Sequence, residues 1–420
     1  MRSTRMLIGS ALGAVSLLLS SGAVAAQAKA PVKLSFDFPV GVTGPLTRDM
    51  SNLVNTFNKS HPGIQVTPVY TGSYQQTVAR VETDIQSGTP PTLAVLTSTS
   101  VYDLLRLGAI APLDSVAKQG DYYPALLQPE VKGHYYGIPF QRSTVVLYYN
   151  KTLFKKAGLN PNVPPKNWTQ LVSDAQALQK IGVNGIEIPT DGTCYWEFAP
   201  YAIEAGQNLA NSNGTQVYFN SSAAKTALNF WMDLSHKYRV EPGGILPWAT
   251  VPSDFEAGTV GMIVHSSGSL AAILKTAKFQ VGEAFMPADH SKYLTDLGGG
   301  DFFLFKAASS AQKKAALTFI KWMTSPAQAA TWSKETGYVA VTPKAYQEPG
   351  MKKFVAAHPQ FLVPAEQLQY AQPELATYQL AQVQDTLDSA IQSVLDGQAK
   401  VGPALNSAQA QANAILAPYR

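Results

Sequence analysis

Apolar and polar residues alternate along Lys33–Phe38, the pattern of a half-buried strand. Leu46, Met50, Leu53, Val54 and Phe57 then recur at helical spacing, and Ile64–Val69 returns to strand composition. Strand, helix, strand in that order predicts a βαβ unit and therefore a parallel pair. Leu93–Leu96 predicts another buried strand. It ends in the hydroxyl row Thr97-Ser-Thr-Ser100, which can cap the short helix Val101–Leu105 or face a ligand off the strand's carboxyl end. The clearest β signal is Val145–Tyr149, an unbroken β-branched and aromatic run of the kind buried on both faces. Gly137 and Pro139 punctuate its approach, and the polar patch Gln141–Thr144 leads into it. Asn150 is placed to cap a short helix that ends at Gly158. Helices are predicted over Trp168–Lys180, Thr226–Tyr238, Phe255–Gly258, Leu270–Lys278 and Ala311–Thr324, and strands over Val260–Val264 and Phe302–Phe305. Gly182–Gly214 reads as an aromatic loop, and Leu375–Leu416 as a helical tail rich in Ala and Gln.

A chain of 420 residues supports two sizeable cores. Arg2, Arg5, the apolar run Met6–Leu19 and the small-x-small site Ala23-Val-Ala25 read as a cleavable export signal over residues 1–26. No cysteine follows the apolar run, so no lipid anchor is expected, and no second run is long enough to span a bilayer. The mature chain is expected to be soluble and exported. Removing residues 1–26 takes two arginines and no acid, so the net charge falls from +4 to +2. Nucleic acid is therefore not an expected partner. Cys194 is the only cysteine, and beside Tyr195 and Trp196 it reads as a small buried hydrophobe in a loop.

Motifs for catalysis are lacking. Ser266-Ser-Gly-Ser does not have the spacing of a nucleophile elbow, and there is no phosphate-binding glycine loop and no H-E-x-x-H. Six scattered histidines show no metal-ligand spacing, so neither metal nor cofactor is expected. A carboxylate pair meeting in space, as in a secreted hydrolase, stays open at this level.

Gly137–Gly158 has the form G-I-P-F-x-x-S-T-x-V-L-Y-Y-N-K-x-x-F-K-K-A-G. With Phe57-Asn-Lys-Ser-His-Pro62, Gly72-Ser-Tyr-Gln-Gln76, Pro164-Pro-Lys-Asn-Trp168, Ser266-Ser-Gly-Ser-Leu270, Gly298-Gly299 and Thr336-Gly-Tyr338, it resembles the extracellular solute-binding proteins of ABC importers. The likeness is to the branch that binds glycerol 3-phosphate, and the motifs run in order along nearly the whole chain after residue 30. The resemblance implies a two-lobed α/β fold, the type II periplasmic binding protein fold, with a ligand cleft between lobes. The N-terminal lobe would comprise residues 27–141 and 301–337, the C-terminal lobe 142–300 and 338–420, with crossings near Gln141, Gly299 and Gly337. It also implies a monomer that closes around a small polar solute and presents it to the permease, and that is not an enzyme.

Carried over one position at a time, the resemblance assigns ligand contacts to Tyr74, Ser143, Ser266, Gly299 and Tyr338. Hydroxyls, phenols and a backbone amide suit a polyol or a phosphate. Ser98 stands where the family has a glutamate, Gln384 where it has an arginine, and Tyr195 with Trp196 where two tryptophans are expected. Arg142 is the candidate substitute for the missing arginine, although strand alternation sets it on the opposite face from Ser143. These departures favour a singly charged glycerophosphodiester over glycerol 3-phosphate, with a neutral sugar or oligosaccharide as the alternative. A sensor subunit is a further, weaker reading.

Overall fold

The computed structural model describes residues 30–118, 120–127, 131–289 and 293–420; the expected export signal lies outside them. Among these residues nine strands run in chain order: β1 (Val32–Phe38), β2 (Ile64–Tyr70), β3 (Leu93–Thr97), β4 (Ile138–Asn150), β5 (Asn184–Glu187), β6 (Val260–Ser266), β7 (Val281–Ala284), β8 (Thr295–Leu304) and β9 (Ala371–Gln372). The order across the sheet is β2-β1-β3-β8-β4-β6-β5, with β7 on β4 and β9 on β8. β1 pairs in parallel with β2 and β3, as the βαβ pattern requires, and β8 then runs antiparallel to both β3 and β4.

β4 is the backbone of the molecule. Its thirteen residues are all buried, so the strand extends well before the apolar run and takes in the whole polar patch. From Ile138 to Thr144 it pairs with β8, and from Val145 to Asn150 with β6 and β7. Val145, Leu147 and Tyr149 enter one core, while Val146 and Tyr148 pack on the other face against Phe255 and Ile263. That is the two-sided burial its composition predicts.

Two large cores flank this strand. One gathers Phe36, Phe57, Phe302, Phe319 and Trp332 around β1 to β3 and the helices beside them. The other gathers Trp168, Phe198, Tyr201, Trp231, Leu387 and Leu405. Tyr338–Val341 and Tyr346 pack in the first core, whereas the expected boundary gives them to the second lobe.

Three elements differ from the sequence pattern. Cys194, Tyr195 and Trp196 begin a helix, Cys194–Glu204, not a loop. All eleven of its residues are buried, so it has no polar face to create a helical period. The Asp388 carboxylate accepts from the Tyr195 N–H at 2.7 Å and satisfies its first turn. β8 begins seven residues before Phe302, its glycines having masked the strand composition. The tail is two helices, Leu380–Leu395 and Val401–Leu416, packed on each other with a turn at Gly397.

Candidate functional site

A cavity of about 400 Å³ lies between the two cores. Tyr74 reaches it from the first turn of helix Tyr74–Gln86, whose end is fixed by a reciprocal bond between Ser73 and Gln76. Thr97 and Ser266 reach it from the carboxyl ends of β3 and β6, where open α/β sheets hold ligands. Ser143 and Gly299, which sit on the paired strands β4 and β8, line it as well. Four aromatic side chains also line it: Tyr195, Trp196, Trp248 and Tyr338.

Glycine geometry places these groups. Gly299 has φ +87°, and a Cβ there would stand 1.8 Å from the Gln141 carbonyl oxygen, so no other residue fits where β8 meets β4. Gly298 lies flat under Trp196, and the Trp196 indole donates to the Leu297 carbonyl at 2.7 Å. Across the cavity Trp248 Nε1 donates to the Gly41 carbonyl at 3.1 Å, joining a loop of one core to a loop of the other. His265 packs against the Trp248 ring at 3.9 Å and bonds its carbonyl and Ser269 Oγ. Burial pushes that imidazole down to about 3, so it stays neutral.

Of the nine residues singled out in the sequence, Tyr74, Ser143, Tyr195, Trp196, Ser266, Gly299 and Tyr338 line this cavity. Ser98 and Arg142 do not. Ser98 is fully buried in the turn after β3, and its neighbour Thr97 takes the wall position. The Ser98 hydroxyl points at the Glu374 carboxylate, 3.5 Å away. Arg142 has no exposed atom and bonds Asp301 at 3.1 Å behind the wall. β4 bulges at Phe140, but it pairs regularly with β8 from Gln141 to Thr144, so strand alternation there turns Arg142 away from the face of Ser143. Gln384 is off this cavity too; it lines a neighbouring pocket that shares Tyr74, Thr97 and Tyr195.

Glu374, Asp191 and Trp248 are wall residues that sequence reasoning missed. Glu374 arrives because β9, only two residues long, pairs with β8 at Thr295 and Asp296 and turns into the cavity. Burial and the nearby Asp301 push its carboxyl up to about 8, against the lowering effect of Arg142. Asp191 Oδ2 accepts from the Trp248 N–H at 3.0 Å and holds that loop. Among the described residues the wall includes these two carboxyl groups and no Lys, Arg or His.

The sequence profile of the bacterial extracellular solute-binding proteins matches residues 52–363. The chain belongs to this family. Family relatives named sn-glycerol-3-phosphate-binding periplasmic protein are 28% identical in Pectobacterium atrosepticum, covering 95% of this chain and 93% of the relative. In Brucella suis the identity is 27%, with 99% of each covered. The fold is that of UgpB from Mycobacterium tuberculosis, solved in complex with glycerophosphocholine (TM-score 0.81, 23% identity, 93% of this chain and 99% of that one). It is also that of a cyclic alpha-maltosyl-1,6-maltose binding protein from Arthrobacter globiformis (TM-score 0.78, 25% identity, 92% and 99%). This solute-binding protein therefore has the type II periplasmic binding fold, with the cavity in its interlobe cleft. It binds a small polar solute for an ABC importer and hands it to the permease subunits, and it is not an enzyme. No helix among the described residues is long and apolar enough to cross a membrane.

Proposed function

We propose that the cavity captures a glycerophosphodiester whose phosphate charge is balanced within the ligand itself, such as glycerophosphocholine. The composition of the wall carries this reading: Ser143, Ser266, the phenols and the Gly299 backbone can surround a phosphate, but no cationic side chain among the described residues meets it. A buried dianion without a partner is costly, which counts against glycerol 3-phosphate. A cationic head group suits the aromatic rings together with Glu374 and Asp191. Relatives named for glycerol 3-phosphate and a similarly folded protein solved with glycerophosphocholine support the same ligand class. The chain would act as a monomer, exported with residues 1–26 removed.

The same aromatic, hydroxyl-rich wall favours a second reading, a neutral sugar, and similarly folded proteins have been solved with maltose and with cyclic maltosyl-maltose specificity. Calorimetry with glycerophosphocholine, sn-glycerol 3-phosphate and maltose separates the two. Glycerophosphocholine is expected to bind tightest. Binding of maltose alone would replace the diester with the sugar.

A further inference from the structure

Among the described residues, the region behind the cleft wall holds more acid than Arg142 can balance. Arg142 on β4 stands among Asp296 and Asp301 of β8 and Glu374 after β9. Glu197 of helix Cys194–Glu204 acts on Asp296 as a fourth acid. Asp301 takes the direct bond to the guanidinium, while Arg142 Nε and Nη2 find no hydrogen-bond partner among the described residues. Several carboxylates cannot all ionise beside one buried cation, so the cluster keeps protons at neutral pH. Of these acids only Glu374 lines the cavity. The groups facing it are the Ser98 hydroxyl, the phenols of Tyr195 and Tyr74, Arg142, Asp301 and Asp296.

We propose that Glu374 is the residue by which the cleft selects a ligand with a cationic end over an anionic or neutral one. The proposal rests on the reading of the cavity as a glycerophosphodiester site. In the empty cleft the Glu374 carboxyl is neutral, which removes most of the cost of burying it. A quaternary ammonium brought against it supplies the counter-charge that the cluster lacks, and the carboxyl proton leaves to solvent. The ammonium carries no proton of its own, so the proton released is the carboxyl's. Ligand affinity then climbs as pH rises, by up to about tenfold per unit, and levels off near 8, where the empty site is already ionised. An anionic ligand gains nothing from that ionisation and is repelled by it.

The test is calorimetry in buffers of different ionisation enthalpy, using glycerophosphocholine and sn-glycerol 3-phosphate with the parent protein and Glu374→Gln. At pH 7 the parent should release close to one proton per glycerophosphocholine bound. Glu374→Gln should release none, bind glycerophosphocholine roughly tenfold or more weakly, and bind sn-glycerol 3-phosphate at least as well as the parent. A variant that keeps the parent's preference, or its proton release, overturns the assignment. The parent's own proton count decides the matter even if the variant folds poorly: binding of glycerophosphocholine with no proton release overturns the role of Glu374 and leaves the diester reading standing. A parent that takes maltose and neither phosphoester overturns both.

Discussion

Arg142 and Ser143 are adjacent in sequence and do different work. Ser143 lines the cavity, while Arg142 lies wholly buried against Asp301. Removing the guanidinium would strand the Asp301 carboxylate in a low-dielectric interior, and breaking such a buried pair costs on the order of 3–5 kcal/mol. Arg142→Ala is therefore expected to lower the unfolding free energy by that order in denaturant titrations. A variant as stable as the parent that lost phosphate ligands selectively would return Arg142 to the site. The period of two in a strand was legible from the sequence and set Arg142 opposite Ser143; whether the strand keeps that period at the crossing was not, because it depends on pairing with the distant β8. Glu374 was illegible for a related reason. It is delivered by a two-residue strand, too short to leave any pattern.

Among the elements, the buried helix Cys194–Glu204 was hidden by its own environment, since a helix with every residue inside shows no hydrophobic period. The strands and amphipathic helices that do expose a polar face were readable, as at β1 and at Ser222–His236. The loop carrying Trp248 is held from three sides, by Asp191, His265 and the Gly41 carbonyl. Only the Gly41 bond spans the cavity. Trp248→Phe keeps most of the ring and deletes that donor, and a net hydrogen bond contributes roughly 0.5–1.5 kcal/mol. All ligands should then bind about two- to tenfold more weakly, by the same factor, in calorimetry. A loss confined to one ligand would mean that the indole N–H contacts that ligand directly.

Over the whole molecule, buried carboxyls with raised pKa values set how stability responds to pH. Burial pushes Glu204 and Asp388 up to about 7, and Glu374 to about 8. In the unfolded chain such groups titrate near 4. Between those values the folded state holds protons that the unfolded state has released, so stability falls as pH rises through the folded pKa values. The melting temperature of the ligand-free protein should accordingly be higher at pH 6.5 than at pH 8.5. His265 acts in the opposite direction, its contribution being lost as pH falls through the ordinary histidine value near 6.5, so it touches only the lower edge of that window. A flat or rising melting profile from pH 6.5 to 8.5 would show that these carboxyls are ionised in the fold.

Every residue of β4 is inside the protein, and apart from a bulge at Phe140 the strand is paired along its length, first to β8 and then to β6 and β7. A joint made of loose linkers swings freely; a ribbon of paired strands bends like a leaf spring, because a wide excursion would tear its rungs. Opening would then be shallow and elastically resisted, and the empty receptor would rest close to its occupied shape. Distances between spin labels placed on the two sides of the cavity should be narrowly distributed without solute and shift only slightly with it. Such a receptor spends little of its binding energy on reorganisation, so differences between solutes would emerge in how long each one stays.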